Sequence, residues 1–392
     1  MKKYLLSFAV MVMGSTLLTG CLGDDSKSSD IPTEVVVTKG ALVINNGSSN
    51  QGIDGSLTFF DAMSGAADPE DMFKKVNGES LGGTANDVLV YGQKVYIVGS
   101  DENTIFVLDA RTFKLLPNGK GKVSTTDLLG DADGHTPRRI IAYEDKVYFT
   151  TYGGYVAAID TTKFEKNAPI TLDAKYKVGS YPEGLALGGT SDNAKLYVAN
   201  SDWSMGSGDI SIIDIKSGNV TPLVVDKVKN PIEILAAGTT LYVLDSGHYE
   251  ADGQKDAGVY RIDGNNVKLV VPNATGMTGY GYTIYTFNNP WGSTTGATYS
   301  AYNVEYDVLS SLSFNGDSAH PIVAPAAISI DPNTGNFYIA SRPLDKETGF
   351  PSYALPGFVN IYSSTGQYIS YFDTGVEPHK IEFSYGTQKI IY

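Results

Sequence analysis

One strand motif recurs along the chain. It reads KVYIV around Tyr96, KVYFT around Tyr148, KLYVA around Tyr197, TLYVL around Tyr242, TIYTF around Tyr285 and NFYIA around Tyr338. ALVIN at Val43 and KIIY at Ile391 read as the same phase at the two ends, and the copies stand 43 to 53 residues apart. That period is expected of four-stranded propeller blades, whereas helical, coiled-coil and Rossmann arrangements need other periods.

Two further marks keep step with the tyrosine. Each copy is followed by an alternating strand ending in Asp: Asp61, Asp109, Asp160, Asp214, Asp263 and Asp307, with Ser363 in the last copy. A carboxylate or hydroxyl there can accept from the backbone two residues on and start a hairpin, so these side chains are read as structural. Before the motif, a short segment leads into an apolar strand, often through proline, as at Pro137, Pro182, Pro231, Pro321 and Pro378. With strands A after the proline, B at the tyrosine, C ending in Asp and D outermost, the expected fold is all-β. It is a seven-bladed propeller of four-stranded antiparallel blades. The IEFS segment after Pro378 would supply the inner strand of the blade begun at Val43, closing the ring and removing free sheet edges. The terminal copies at Val43 and Ile391 leave an eight-bladed count open. The 43 Gly, 26 Tyr and 15 Phe suit a turn-rich β protein.

The first 35 residues stand apart. Lys2 and Lys3 precede an apolar run too short to span a bilayer, and LLTGC ends at Cys21, the one cysteine in the sequence. The expected division is a signal peptide at 1–20, a lipidated flexible tether at 21–35 and the propeller at 36–392. LLTGC resembles a bacterial lipobox, which implies acylation of Cys21 and anchorage at the outer membrane. The acidic LGDDSKSSD that follows resembles the surface-export signal of Bacteroidetes lipoproteins, which implies a position facing the cell exterior. A formal charge of −14 removes the electrostatic basis for nucleic-acid binding and for docking on anionic lipid.

The blade motifs PEGLAL, KLYVAN and ISIID resemble those of YncE-like seven-bladed propellers. The opening INNGSSNQGIDGSLTFFD with VNGESLGGTANDV narrows the resemblance to BtuG-type surface lipoproteins of Bacteroidetes. That resemblance implies capture of cobalamin (vitamin B12) as a bound ligand, with no catalytic cofactor, and delivery to a BtuB-like TonB-dependent transporter.

In a four-stranded blade the B–C and D–A loops emerge on one face. The B–C loops lengthen sharply from the fourth copy onward, and both tryptophans, Trp203 and Trp291, lie in them with Tyr249, Phe350 and Tyr353. Large aromatics in polar loops point to an apolar patch meant to be covered. The ligand-binding residues expected on this face are Asn45, Arg138, Tyr152, Tyr181, Glu183, Trp203, Tyr249, Asn288, Trp291, Arg342, Tyr353 and His379. His135, Asn230, His320 and Glu377 fall on the same loops, and His248 puts all four histidines on this side. No histidine pair has HxH or HxxxH spacing, so no metal site is expected. GDADGH, Gly130 to His135, lacks the later ligands of a calcium loop and reads as a turn. A surface glycan binder remains the rival reading, since aromatic platforms also stack on sugars. A lactonase-type propeller would use Glu183 or Glu377, but no supporting Asn set stands at matching blade positions, and GxSxG and a nucleophilic Cys are missing. No enzymatic activity is expected.

Overall fold

The computed structural model describes residues 33–390 except 69, 167, 191, 203–205, 251–252, 291–292, 294–295 and 317–318. The recurring tyrosine packs each sheet against the next. Tyr96 lies among Ile140 and Phe149, Tyr148 among Leu185 and Val198, and Tyr197 among Ile234 and Val243. Tyr242 meets Met277 and Ile284, Tyr285 meets Ile328 and Ile339, and Tyr338 meets Val43 and Ile381. Each contact joins one blade to its successor, and the last joins the end of the chain to its beginning. Burying one such ring contributes on the order of 2 kcal/mol, so the tyrosine repeat is a repeat of interfaces.

There are seven four-stranded antiparallel blades. Blade 1 combines Thr33–Asn45, Ser56–Asp61 and Ala66–Ala67 with the C-terminal strand Pro378–Ile390, which takes the inner position. Pairing of Val43 with Ile381 closes the ring as the sequence suggested. Inner strands of blades 2 to 7 are Ala85–Tyr91, Pro137–Tyr143, Pro182–Thr190, Pro231–Ala237, Gly276–Tyr280 and Ala324–Ile330. The first strand of blade 1 begins at Thr33, inside the stretch assigned to the tether. Among the described residues no helix is long and apolar enough to cross a membrane.

Two strand assignments change in detail. The structural counterpart of the repeated tyrosine in blade 1 is Leu42, not Val43. Leu42 lies three residues before the Asn45–Pro378 pair, as Tyr96 lies three before the Gly99–Ala85 pair. A one-residue slip in a strand reverses its faces, and Leu42 accordingly packs toward blade 2 while Val43 packs toward blade 7. The QKI stretch before Ile391 prolongs the inner strand of blade 1, with Lys389 opposite Glu34, and is not an eighth B strand. Ile391 itself lies outside the described residues.

The turn aspartates behave as expected at Asp61, Asp109 and Asp160, which accept from the amides of Met63, Arg111 and Thr162 at 2.8, 3.2 and 2.8 Å. Asp214 reaches one residue further, to Ser217 N at 2.8 Å. In blade 6 the turn is held by Asn303, whose Oδ1 accepts from Glu305 and Tyr306, while Asp307 pairs with Lys268 and accepts from Tyr302 Oη.

Candidate functional site

The inner strands share an irregularity at their first residues. Six of the seven shift register against their B strand: at Ala85/Asp87, Pro137/Ile140, Pro182/Leu185, Pro231/Glu233, Pro325/Ala327 and opposite Ile44/Asn45. An extra residue bends the strand and re-aims side chains. The residues so displaced are Asn86, Arg138 with Arg139, Glu183 with Gly184, Ile232, Ala326 and His379. Arg138, Arg139, Glu183 and His379 therefore sit where the repeat is broken, and the preceding loops are tense. Thr136, Tyr181 and Glu377 each precede a proline yet hold φ of 49°, 48° and 60°, a left-handed conformation that costs about 1–3 kcal/mol in a non-glycine residue.

Two clusters of the same composition result. In the first, Arg138 Nε donates to both oxygens of Glu183 at 3.1 Å, Tyr152 Oη donates to Glu183 Oε1, and the guanidinium lies 4.9 Å from the centre of the Tyr152 ring. Tyr181 meets Tyr152 edge-on at 5.1 Å. In the second, Arg342 grips Glu377 through Nε and Nη2 and lies 4.9 Å from the centre of the Tyr353 ring. Each joins a B–C loop aromatic to the start of the next blade's inner strand, so the two loop sets do share one face. Both ion pairs are largely buried, with side-chain exposures of 20% and 9% for Arg138 and Glu183 and 17% and 12% for Arg342 and Glu377. Removing one partner of such a pair costs about 3–5 kcal/mol, because the other charge is left uncompensated.

Between the clusters, blades 4 to 7 surround a cavity of about 420 Å³. Its walls carry Ile232, Ala274, Phe287, Pro325, Ala326 and Pro351, with neutral polar groups from Ser201, Asn230, Ser246, Gln254, Thr275 and Asn289. Glu183 and Arg342 are its charged lining residues, and Tyr353 stands at its rim. Gln254 comes from a small hairpin, His248–Glu250 with Gly253–Lys255, built into the B–C loop of blade 5, and its amide donates to Ser246 O at 2.7 Å.

Arg139 and His379 occupy a neighbouring layer of the inner strands. Arg139 Nη1 donates to Asn86 O at 3.2 Å and stands 3.1 Å from His379 Nε2, while Nη2 lies 3.7 Å from Glu233. Burial, followed by the positive charges of Arg139, Arg138 and Arg342, holds the His379 pKa well below its usual value, so the ring is neutral and accepts from Arg139. Nearby on the same strand, burial pushes Glu382 up to about 7.

Of the twelve expected binding residues, Arg138, Tyr152, Tyr181 and Glu183 meet in one cluster, and Arg342 and Tyr353 in the other. His379 joins the arginine layer. Asn45 is fully buried, and its amide donates to Ser56 Oγ and Thr58 Oγ1 at 3.1 Å. Asn200 makes the equivalent bonds in blade 4, to Asp209 and Ser211, so the Asn45 amide nitrogen serves the B–C hairpin. Asn288 ends its strand beside Asn289, and it is Asn289 that lines the cavity. Trp203, Trp291 and Cys21 lie outside the described residues, as does the side chain of Tyr249. Gln254, Thr275, Phe287 and Arg139 were not singled out from the sequence; only the ArgArg doublet at 138–139 carried a signal.

Among the described residues no three His, Cys, Asp or Glu side chains gather closely enough to hold a metal ion. The GDADGH stretch forms a helical turn, Asp131–Gly134, and Asp133 pairs with Lys175 at 2.7 Å.

Residues 39–175, the span from blade 1 to the outer strand of blade 3, match the family model described as "Domain of unknown function (DUF5074)". No curated protein matches the sequence. Among solved structures, apo AztD of Citrobacter koseri is 12% identical with a TM-score of 0.55, over 90% of this chain and 100% of that one. A hypothetical selenium-binding protein of Sulfolobus tokodaii is 11% identical with a TM-score of 0.55, over 90% and 94%. Hydrazine synthase of Kuenenia stuttgartiensis is 15% identical with a TM-score of 0.50, over 70% and 74%. At these identities the similarity is one of fold.

Proposed function

We propose that this protein is a non-catalytic receptor that captures cobalamin or a related corrinoid on the B–C face of the propeller. Tethered to the outer membrane through acylated Cys21, it passes the ligand to a BtuB-like TonB-dependent transporter. The observation that carries the reading is the chemistry of the cavity. Its two charged lining residues are each paired within the protein, by Arg138 and by Glu377, and the rest of the lining is apolar wall and neutral amide or hydroxyl. A corrin is a broad apolar disc edged with amides and asks for that combination. The cavity takes one amide-bearing edge of the disc, and the exposed aromatics Tyr181, Phe350 and Tyr353 meet its plane; Trp203 and Trp291 belong by sequence to B–C segments and are proposed to add to them. A site built on a closed ring is pre-formed, which lowers the ordering cost of binding.

Trp203→Ala and Trp291→Ala test this by stopped-flow release of cyanocobalamin. Faster dissociation with unchanged circular dichroism is expected, because losses of packing contacts appear mostly in the off-rate. Unchanged release from both variants contradicts the reading. A second reading, a glycan-binding face, draws on the 55% and 43% exposure of Phe350 and Tyr353 on one loop. It predicts weak binding to polysaccharide and none to the corrinoid.

A further inference from the structure

The two Arg–Glu–Tyr clusters are alike in composition but enter the cavity with opposite members. From blade 4 the cavity receives Glu183, the acceptor of its pair. From blade 7 it receives Arg342, the donor of its pair. These blades are three apart in a ring of seven, so the two groups stand on opposing sides. Both are held rigidly by partners outside the cavity lining. Glu183 is fixed by Arg138 and Tyr152, and Arg342 by a two-point contact with Glu377 beneath the Tyr353 ring.

Each also keeps unused capacity. An arginine carries five N–H donors. The bonds to Glu377 use Nε and Nη2, and among the described residues no partner stands at Arg342 Nη1. A carboxylate offers about four lone-pair sites. Glu183 Oε2 accepts only the shared Arg138 Nε among the described residues.

We infer that the cavity is bipolar and selects ligands that are neutral overall, presenting a hydrogen-bond donor to Glu183 and an acceptor to Arg342. Primary amides and hydroxyl-bearing groups at two edges of an apolar body meet both demands; an anionic group is accepted only at the Arg342 pole. This rests on the reading of the face as a ligand site and narrows the class of ligand. The two poles balance over the cavity as a whole, so a ligand that spans both gains nothing from net charge, whereas a small ion at one end meets that pole alone. The poles orient the ligand, and the neutral and apolar groups of blades 5 and 6 between them supply most of the contact.

The test has two arms. Crystals of the protein are soaked separately with acetate and with methylammonium. Acetate bound within hydrogen-bonding distance of Arg342 and methylammonium at Glu183 is the expected result. Acetate at Glu183, methylammonium at Arg342, or neither ion at either pole overturns the bipolar assignment, whether or not cyanocobalamin binds. In the second arm, cyanocobalamin is compared with its monocarboxylate derivatives, in which one amide has become an acceptor-only group. At least one derivative is expected to bind about tenfold more weakly, with the loss relieved in Glu183→Gln. Equal affinity for every derivative overturns the assignment. Fragments that partition as stated while cyanocobalamin fails to bind leave the bipolar cavity standing and remove the corrinoid reading alone.

Discussion

At the scale of single residues, the channel side of the inner strands holds two groups whose protonation opposes each other. Glu382 is raised to about 7 by burial, against the smaller lowering effect of Lys380. Its folded form therefore binds a proton that the unfolded chain has already released above its ordinary value of 4.5. Stability from this group falls as pH rises from about 5 to about 7 and is level above. His379 is lowered by burial first and then by Arg139, Arg138 and Arg342. The unfolded chain takes up that proton below its ordinary value of 6.5 while the folded one resists, so stability from His379 falls as pH drops through that region. The two slopes offset one another in the native protein. Urea titrations between pH 5 and 8 are expected to show Glu382→Gln losing stability on acidification and His379→Gln losing stability on alkalinisation toward pH 7; parallel curves for both variants contradict the assignment. Neither group could be identified from sequence as perturbed. EPHKIEFS shows both residues, but their burial depends on six other blades.

At the scale of elements, the repeat was legible because one blade's tyrosine must fill the space beside the next, and that demand recurs at every interface. Where no tyrosine was present the phase slipped, as at Leu42. Where a second polar residue stood nearby, the turn was misassigned, as with Asn303 and Asp307 in blade 6. The bulges that bring Arg138, Glu183 and His379 to the face left no periodic trace, since an inserted residue is what destroys periodicity. Blade 6 is the exception, its inner strand pairing without a shift. There Gly276 lies against the Phe287 ring so closely that a Cβ would stand 2.2 Å from it. Phe287 lines the cavity, and Gly276→Ala must drive the ring from its place. The variant is expected to fold, to lose about 1–3 kcal/mol from overpacking, and to bind cyanocobalamin at least tenfold more weakly by calorimetry. Native affinity in a folded Gly276→Ala protein contradicts the placement of Phe287 at the site.

At the scale of the whole molecule, the C-terminal strand completes blade 1 and joins the two ends of the chain in one sheet, which closes the ring of seven. Pro378–Ile390 pairs along the full length of Thr33–Asn45 and also carries His379 and Glu382 into the centre. A chain ended after Glu377 loses the inner strand of blade 1 and exposes the apolar faces of Ala41 and Val43. It is expected to aggregate or to elute as higher oligomers on gel filtration, whereas a soluble monomer with native circular dichroism contradicts closure as the source of stability. The ring and its closing strand were legible in the sequence, and the blade count was legible as seven with eight left open by the terminal copies of the motif. The cavity was not, because its lining comes from four blades whose relative placement no local pattern records. The central claim is that this face captures a corrinoid. The most direct measurement mixes the purified protein at micromolar concentration with excess cyanocobalamin and follows corrin absorbance through gel filtration. One corrin per chain travelling with the protein peak is the predicted result, and a folded protein peak without corrin absorbance contradicts it.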